Sequence, residues 1–270
     1  MYKILFIIVG IFISMSAFSQ NTDMFFYQRA LEQKNKGLYK ESLLDLDKTI
    51  AINKLNGKAY CVRAEVKVFL NDLQGALKDF NSCISLLPSD TNAYFQRGLL
   101  KATMNEQRGA VKDFTKALFL NKQMEEICFY RAKSKALLSD YRGAIYDYTL
   151  FIEFCPDSVE ALYLRACNKI EIKDFYGAIE DLEKYIGVKK KSVDGYIKRG
   201  FAKLELEKTD EALKDFNFAL LLDDRSAEAY YRRGILYKRL GNVFLACSDL
   251  SRAGELGHNL AYGAIKVLCQ

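Results

Sequence analysis

Two kinds of charged residue recur along this chain with the same spacing. The first column is Arg29, Arg63, Arg97, Arg131, Arg165, Arg199 and Arg233, and the second is Asp45, Asp79, Asp113, Asp147, Asp181, Asp215 and Asp249, each advancing by 34 residues without a slip. Guanidinium and carboxylate groups repeated in this way could present a charged ladder to a ligand, or pair with each other so that both can be buried. Other residue types capable of chemistry lack this order. The seven cysteines (Cys61, Cys83, Cys128, Cys155, Cys167, Cys247, Cys269) are odd in number and irregular in spacing, and His258 is the only histidine. A CxxC pair, an HExxH helix, a GxSxG elbow, a Gly-rich phosphate loop and a calcium loop are all missing from the sequence. Zinc binding and Cys–His nucleophilic chemistry are therefore not expected, and neither is any metal, cofactor or catalytic residue. The chain reads as a non-enzyme, with its cysteines as small hydrophobes in helix interfaces.

The elements that would position the two columns follow from the same period, which marks an array of supersecondary repeats. The residue after each Arg is small (Ala30, Ala64, Gly98, Ala132, Ala166, Gly200, Gly234), and Ala stands three residues before six of the seven Asp. Small residues at facing positions allow two helices to approach closely. Between the columns, Gly37, Asn71, Asn105 and Gly241 suit a left-handed helix end, and Asp72, Asp140, Asp174 and Asn242 follow as N-caps. Each repeat thus reads as helix, tight turn, helix. The repeats span about 23–56, 57–90, 91–124, 125–158, 159–192, 193–226 and 227–260, and residues 259–270 form a capping helix with Leu260, Ala264, Ile265 and Leu268 on one face.

With Asp23 as position 1, Arg falls at position 7 and Asp at position 23. Positions 4, 7, 8 and 11 share one stripe of the first helix, and 20, 23, 24 and 27 one stripe of the second. Both stripes must pack inward, so the columns are expected to pair as Arg–Asp ion pairs. Positions 5, 9 and 12 form a neighbouring line. It carries Tyr27, Phe95, Phe129, Tyr163, Ile197 and Tyr231 at position 5, and Leu99 and Phe201 at position 9. This line is either a binding wall or packing between adjacent first helices.

The stretch NAYFQRGLLKATMNEQRGAVKDFTKALFL (92–120) is similar to the tetratricopeptide repeat pattern, and the resemblance runs from about Asp23 to Leu260. It implies an all-α, right-handed superhelical solenoid of antiparallel helix pairs whose concave groove receives a protein or peptide. The peptide-binding candidates are then Tyr27, Phe95, Leu99, Phe129, Tyr163, Ile197, Phe201 and Tyr231, in a largely apolar groove that is charge-selective only at its ends. The family's carboxylate-clamp members carry Asn at position 9, and none occurs here, so a chaperone-tail clamp is not expected. Where the family has Tyr in the first helix, this chain has Lys67, Lys101, Lys135, Lys169 and Lys203, which makes the interior more polar. An adaptor for one partner and a holdase-like chaperone or assembly factor for many exported chains both fit.

A net charge of +6, with basic and acidic residues interleaved, does not imply nucleic acid. At the start, Lys3, the apolar run Ile4–Ile13, and Ala17 and Ser19 read as a secretory signal peptide over residues 1–19. The alternative, a retained anchor, needs about 18–20 apolar residues to span a bilayer. Export to the periplasm or beyond is expected, with no stable membrane insertion of the mature chain. Intact mass of protein isolated from its host should give a chain beginning at Gln20; residues 1–19 retained on a membrane-bound product would defeat this reading.

Overall fold

The computed structural model describes residues 22–121 and 125–269, and these fold as helices joined by tight turns. The proposed signal segment lies outside the described residues. The chain forms two compact bodies, one running to Ser134 and the other from Lys135, with the boundary inside α7. The first body contains α1 (22–35), α2 (Tyr39–Ile52), α3 (Gly57–Phe69), α4 (Leu73–Leu86), α5 (Thr91–Thr103), α6 (Gln107–Leu120) and the start of α7 (Glu125–Leu137). The second continues through α8 (Tyr141–Phe154), α9 (Val159–Glu171), α10 (Phe175–Val188), α11 (Val193–Glu205), α12 (Thr209–Leu222), α13 (Ala227–Arg239), α14 (Val243–Glu255) and α15 (Ala261–Leu268). The odd-numbered helices α1 to α13 are the first helices of their repeats, and α3, α5, α9, α11 and α13 each pack against the even-numbered helix that follows. This is an all-α repeat fold. Among the described residues, no helix is long and apolar enough to cross a membrane.

The turn inside each repeat places one residue in the left-handed region. At Gly37 and Gly241 φ is +78° and +73°, and at Asn71 and Asn105 it is +62°. Ser139, Lys173 and Glu207 hold the same position at +60° to +63°, although nothing in their side chains favours it. The geometry is that of a Schellman turn: the Asp72 N–H donates to the Lys67 carbonyl at 2.9 Å and the Asn71 N–H to the Val68 carbonyl at 3.0 Å. These bonds compensate for the unfavourable φ at the three non-Gly, non-Asn positions. Asp72, Asp140, Asp174 and Asn242 then cap the second helices, each accepting a backbone N–H three residues on. A second capping column begins the first helices: Asn56, Asp90, Ser158, Ser192 and Ser226 accept from Ala59, Ala93, Ala161, Gly195 and Ala229.

Packing follows the small–large alternation. Ala30, Ala64, Ala132 and Ala166 are fully buried, as are Phe114, Leu182, Phe216 and Leu250 of the facing column. Adjacent repeats lock by one recurrent grip, in which positions 17, 21 and 24 of one repeat hold positions 10 and 14 of the next. Tyr39, Leu43 and Leu46 hold Val66 and Leu70, and Leu73, Leu77 and Phe80 hold Leu100 and Met104. The cap differs from expectation: α15 is shorter than 259–270, and Leu260 lies ahead of it, 65% exposed.

The cysteine reading is corrected. Cys61–Cys83 and Cys247–Cys269 are disulfides, each spanning 22 residues. Cys155 and Cys167 are free thiols. Cys61 and Cys83 occupy positions 5 and 27, which face each other across one helix pair; in another repeat Tyr163 and Tyr185 hold those positions with their rings 4.9 Å apart.

Close packing makes a testable demand at Gly98, where an added Cβ would lie 2.6 Å from the Phe114 ring. Gly98→Val should destabilise the protein by about 1–3 kcal/mol, as overpacking does. Chemical denaturation reads this; an unchanged midpoint would show that the interface has slack.

Candidate functional site

The charged columns meet inside the helix pairs. Arg29 donates from Nε and its terminal nitrogen to both carboxylate oxygens of Asp45, at 2.6 and 2.7 Å. The same two-pronged contact joins Arg63 to Asp79, Arg97 to Asp113, Arg165 to Asp181, Arg199 to Asp215 and Arg233 to Asp249, all between 2.6 and 2.9 Å. Asp147 is fully buried and is held by Lys135 at 2.8 Å. Paired groups of this kind are neutralised rather than presented to a ligand. The bonds from Arg29 hold the Asp45 carboxyl below the usual carboxylate range, against the opposing effect of burial. At Arg233 the bonds it donates to Asp249 outweigh burial and raise the guanidinium.

Two further partners complete this network, and neither was read from the sequence. The lysines in place of the family's Tyr close on the same aspartates: Lys67–Asp79 at 2.7 Å, Lys101–Asp113 and Lys169–Asp181 at 2.8 Å, and Lys203–Asp215 at 3.0 Å. Each lysine sits four residues beyond its Arg, on the same helix face, which is the available sequence signal. The third arginine nitrogen reaches back to position 25 of the preceding repeat. Arg63 meets Asp47, Arg97 meets Asn81 and Arg233 meets Asn217, at 2.7–2.8 Å, and Arg131 and Arg165 meet Thr115 and Thr149 at 3.3 and 3.1 Å. Tyr60, Tyr94, Tyr196 and Tyr230 place their rings 5.4–5.6 Å from the neighbouring guanidinium, a cation–π arrangement.

The line at positions 5 and 9 divides. Phe95 and Ile197 are 6% and 4% exposed and sit in cores, Phe95 with Phe114 and Ala117, Ile197 with Ala219 and Ala229. Phe95 therefore faces the second helix of its own repeat and not a partner, whereas Ile197 also lends an edge to the second cleft described below. Tyr27 packs against the Ala30–Leu46 core, and Phe129 packs edge-on to Tyr130 with Lys133 over its ring. Tyr163 donates its hydroxyl to Asp194; burial first, then this carboxylate, raises the phenol well above its ordinary range. Tyr231 stacks on His258 at 4.0 Å.

Position 9 opens instead onto clefts, one in each body. The first, about 370 Å³, has Leu99 and Val68 on its walls, the buried Phe80 and Leu100 as its floor, and the Lys34–Glu65 ion pair at its edge. The second, about 510 Å³, is formed by Ile170, Ile197 and Phe201 and rimmed by Glu171, Asp194, Lys198, Glu205, Glu228 and Arg232. Its charged rim corrects the expectation of charge only at the groove's ends. Arg232 lies 4.5 Å over the Phe201 ring and donates to Glu228 at 2.6 Å, while His258 bonds the other oxygen of Glu228 at 2.8 Å. Among the described residues, Cys61, Cys83 and Asp90 are the one group spaced like metal ligands, but their sulfurs are joined to each other. The clefts can therefore hold side chains by apolar contact and charge pairing.

Asp113→Ala removes the buried anion from the half-buried Arg97 and Lys101 and should cost about 3–5 kcal/mol. Lys101→Met leaves the Arg97–Asp113 pair intact, and a much smaller loss is expected. Thermal melts of the two variants check this; equal small losses would mean that the network is solvated.

No protein-family model matches the sequence, and no curated protein matches it. Solved structures do. The C-terminal part of a TPR repeat-containing protein from Cytophaga hutchinsonii aligns with a TM-score of 0.69 at 14% identity, over 86% of this chain and 96% of that one. A tetratricopeptide repeat protein from Parabacteroides merdae aligns at 0.60 with 18% identity, over 93% and 100%. The MamA protein aligns at 0.59 with 20% identity, over 64% of this chain and 94% of its own. At these identities the likeness is one of fold, and it agrees with the helix pairs, turns and inter-repeat grip described above: the chain has the tetratricopeptide-repeat fold.

Proposed function

We propose that this protein is an exported, non-enzymatic adaptor that holds a protein or peptide partner on the first-helix faces of its repeats. One observation carries the reading: position 9 opens onto an apolar-walled cleft in each body, with a rim of charged groups. Such a surface seats an apolar anchor side chain and sets its register by polar contacts around it. The chemistry-bearing columns are engaged in internal pairing, which leaves recognition to the residues that vary between repeats. A single-partner adaptor fits better than a holdase. The clefts are discrete and their rims are ordered by ion pairs, whereas promiscuous binders use adaptable, Met-rich surfaces, and this chain has five methionines. Two disulfides support export, because such bonds persist in oxidising compartments.

The test is site-specific photo-crosslinking in the native host. A crosslinker at Thr103 or Lys198, both lining the clefts, should capture one discrete product. The same group at Leu221, 78% exposed on a second helix, should capture none. Equal capture from all three positions would place the binding surface elsewhere, and a broad smear of products from the clefts would favour the holdase.

A further inference from the structure

We propose that the face formed by α14 and α15 is a self-association surface on which a second copy of this chain docks tail to tail. The observation begins with the grip between repeats. In the internal interfaces, positions 17 and 21 of a second helix are covered by positions 10 and 14 of the following first helix, as Leu73 and Leu77 are by Leu100 and Met104. In the last repeat those gripping positions are Val243 and Cys247. The helix that follows, α15, matches a first helix only over positions 1 to 8. It ends at Leu268, and Cys269 turns back to bond Cys247. The socket is thus left open at Val243, 48% exposed, and two apolar side chains extend the bare surface: Phe244, 82% exposed at a position that faces solvent in every repeat, and Val267 on α15, 78% exposed. A shallow cleft of about 500 Å³ is lined by Val243, Phe244, Cys247, Ser248, Ser251 and Leu268.

The cleft lining carries no charge, and Lys266 is the one charged residue of α15. Two copies can therefore meet through it without like-charge repulsion, and the phenyl ring of Phe244 from each suits the cleft of the other. The opposite end of the array argues against head-to-tail filling. In the first repeat, positions 10 and 14 are Glu32 and Lys36, both exposed, so α1 would push two charges into the apolar socket. An isologous contact closes as a dimer instead of growing into a filament. The patch exposes on the order of 400 Å² of apolar side chain, the size of surface patches that are commonly functional. Doubled by symmetry it reaches about 800 Å², below the roughly 1,200 Å² of a standard stable interface. The area thus matches a weak, concentration-dependent dimer.

Sedimentation velocity on the purified, oxidised protein across the micromolar range tests this. The parent should shift from monomer to dimer with concentration. Phe244→Glu and, separately, Val267→Glu should each weaken association at least about tenfold. Both side chains are largely exposed, so melting should be unchanged, and the second variant keeps the test decisive if the first misfolds. Phe25→Glu, at an exposed site on α1, should leave the dimer intact. A monomer at every concentration overturns the proposal, whatever other protein this face holds. So does a dimer indifferent to Phe244→Glu and Val267→Glu, and loss of the dimer in Phe25→Glu would make the contact head to tail.

Discussion

One buried carboxylate per repeat organises this protein. An aspartate carried into a helix interface costs several kcal/mol unless its charge is balanced and its oxygens are bonded. The chain meets that cost from a single neighbouring helix. An arginine supplies two parallel donors, and a lysine one turn later closes on the same oxygens in the central repeats. These bonds fix how far the second helix can slide along the first, since a shift of one turn would strand the charge. The remaining arginine nitrogen then reaches the preceding repeat, so one residue sets the register both within a repeat and between repeats. Small residues beside the Arg and large ones beside the Asp fill the space this geometry leaves.

The same arrangement separates fold from recognition. Columns that recur in every repeat are satisfied internally and have nothing left to offer a partner. The surface of the first helices is built from positions 2, 6, 9 and 13, whose occupants differ from repeat to repeat. Leu99 and Thr103 make one cleft plain, whereas Asp194, Lys198 and Glu205 give the other a charged rim. An array of this kind can change its ligand by substitutions that leave the helix pairing untouched.

How much of this was legible in the sequence depended on whether a residue's role follows from its type. Gly37 and Asn71 announce a left-handed turn by their chemistry, but Ser139, Lys173 and Glu207 adopt it because the surrounding helices require it. The Arg and Asp columns declare themselves by period. The lysines share the period, yet their role is set by the carboxylate across the helix pair and not by the tyrosine they replace, so residue type alone does not announce it. The aromatic line misled for a geometric reason: position 5 turns far enough toward the second helix to bury Phe95, while position 9, one turn on, stays at the surface. Irregular spacing along the chain hid the disulfides, although Cys61 and Cys83 occupy facing positions of one helix pair.

Both disulfides close short loops, and neither joins one body to the other. Cys61–Cys83 straps together the two helices of a single repeat, and Cys247–Cys269 straps the last helix pair to its cap. Under mechanical tension the chain enclosed by each strap cannot lengthen, so pulling on the array would draw out the unstrapped repeats first. The two straps thus set two inextensible segments among repeats that can lengthen. Reduction would erase that difference and leave all repeats to yield according to their packing alone.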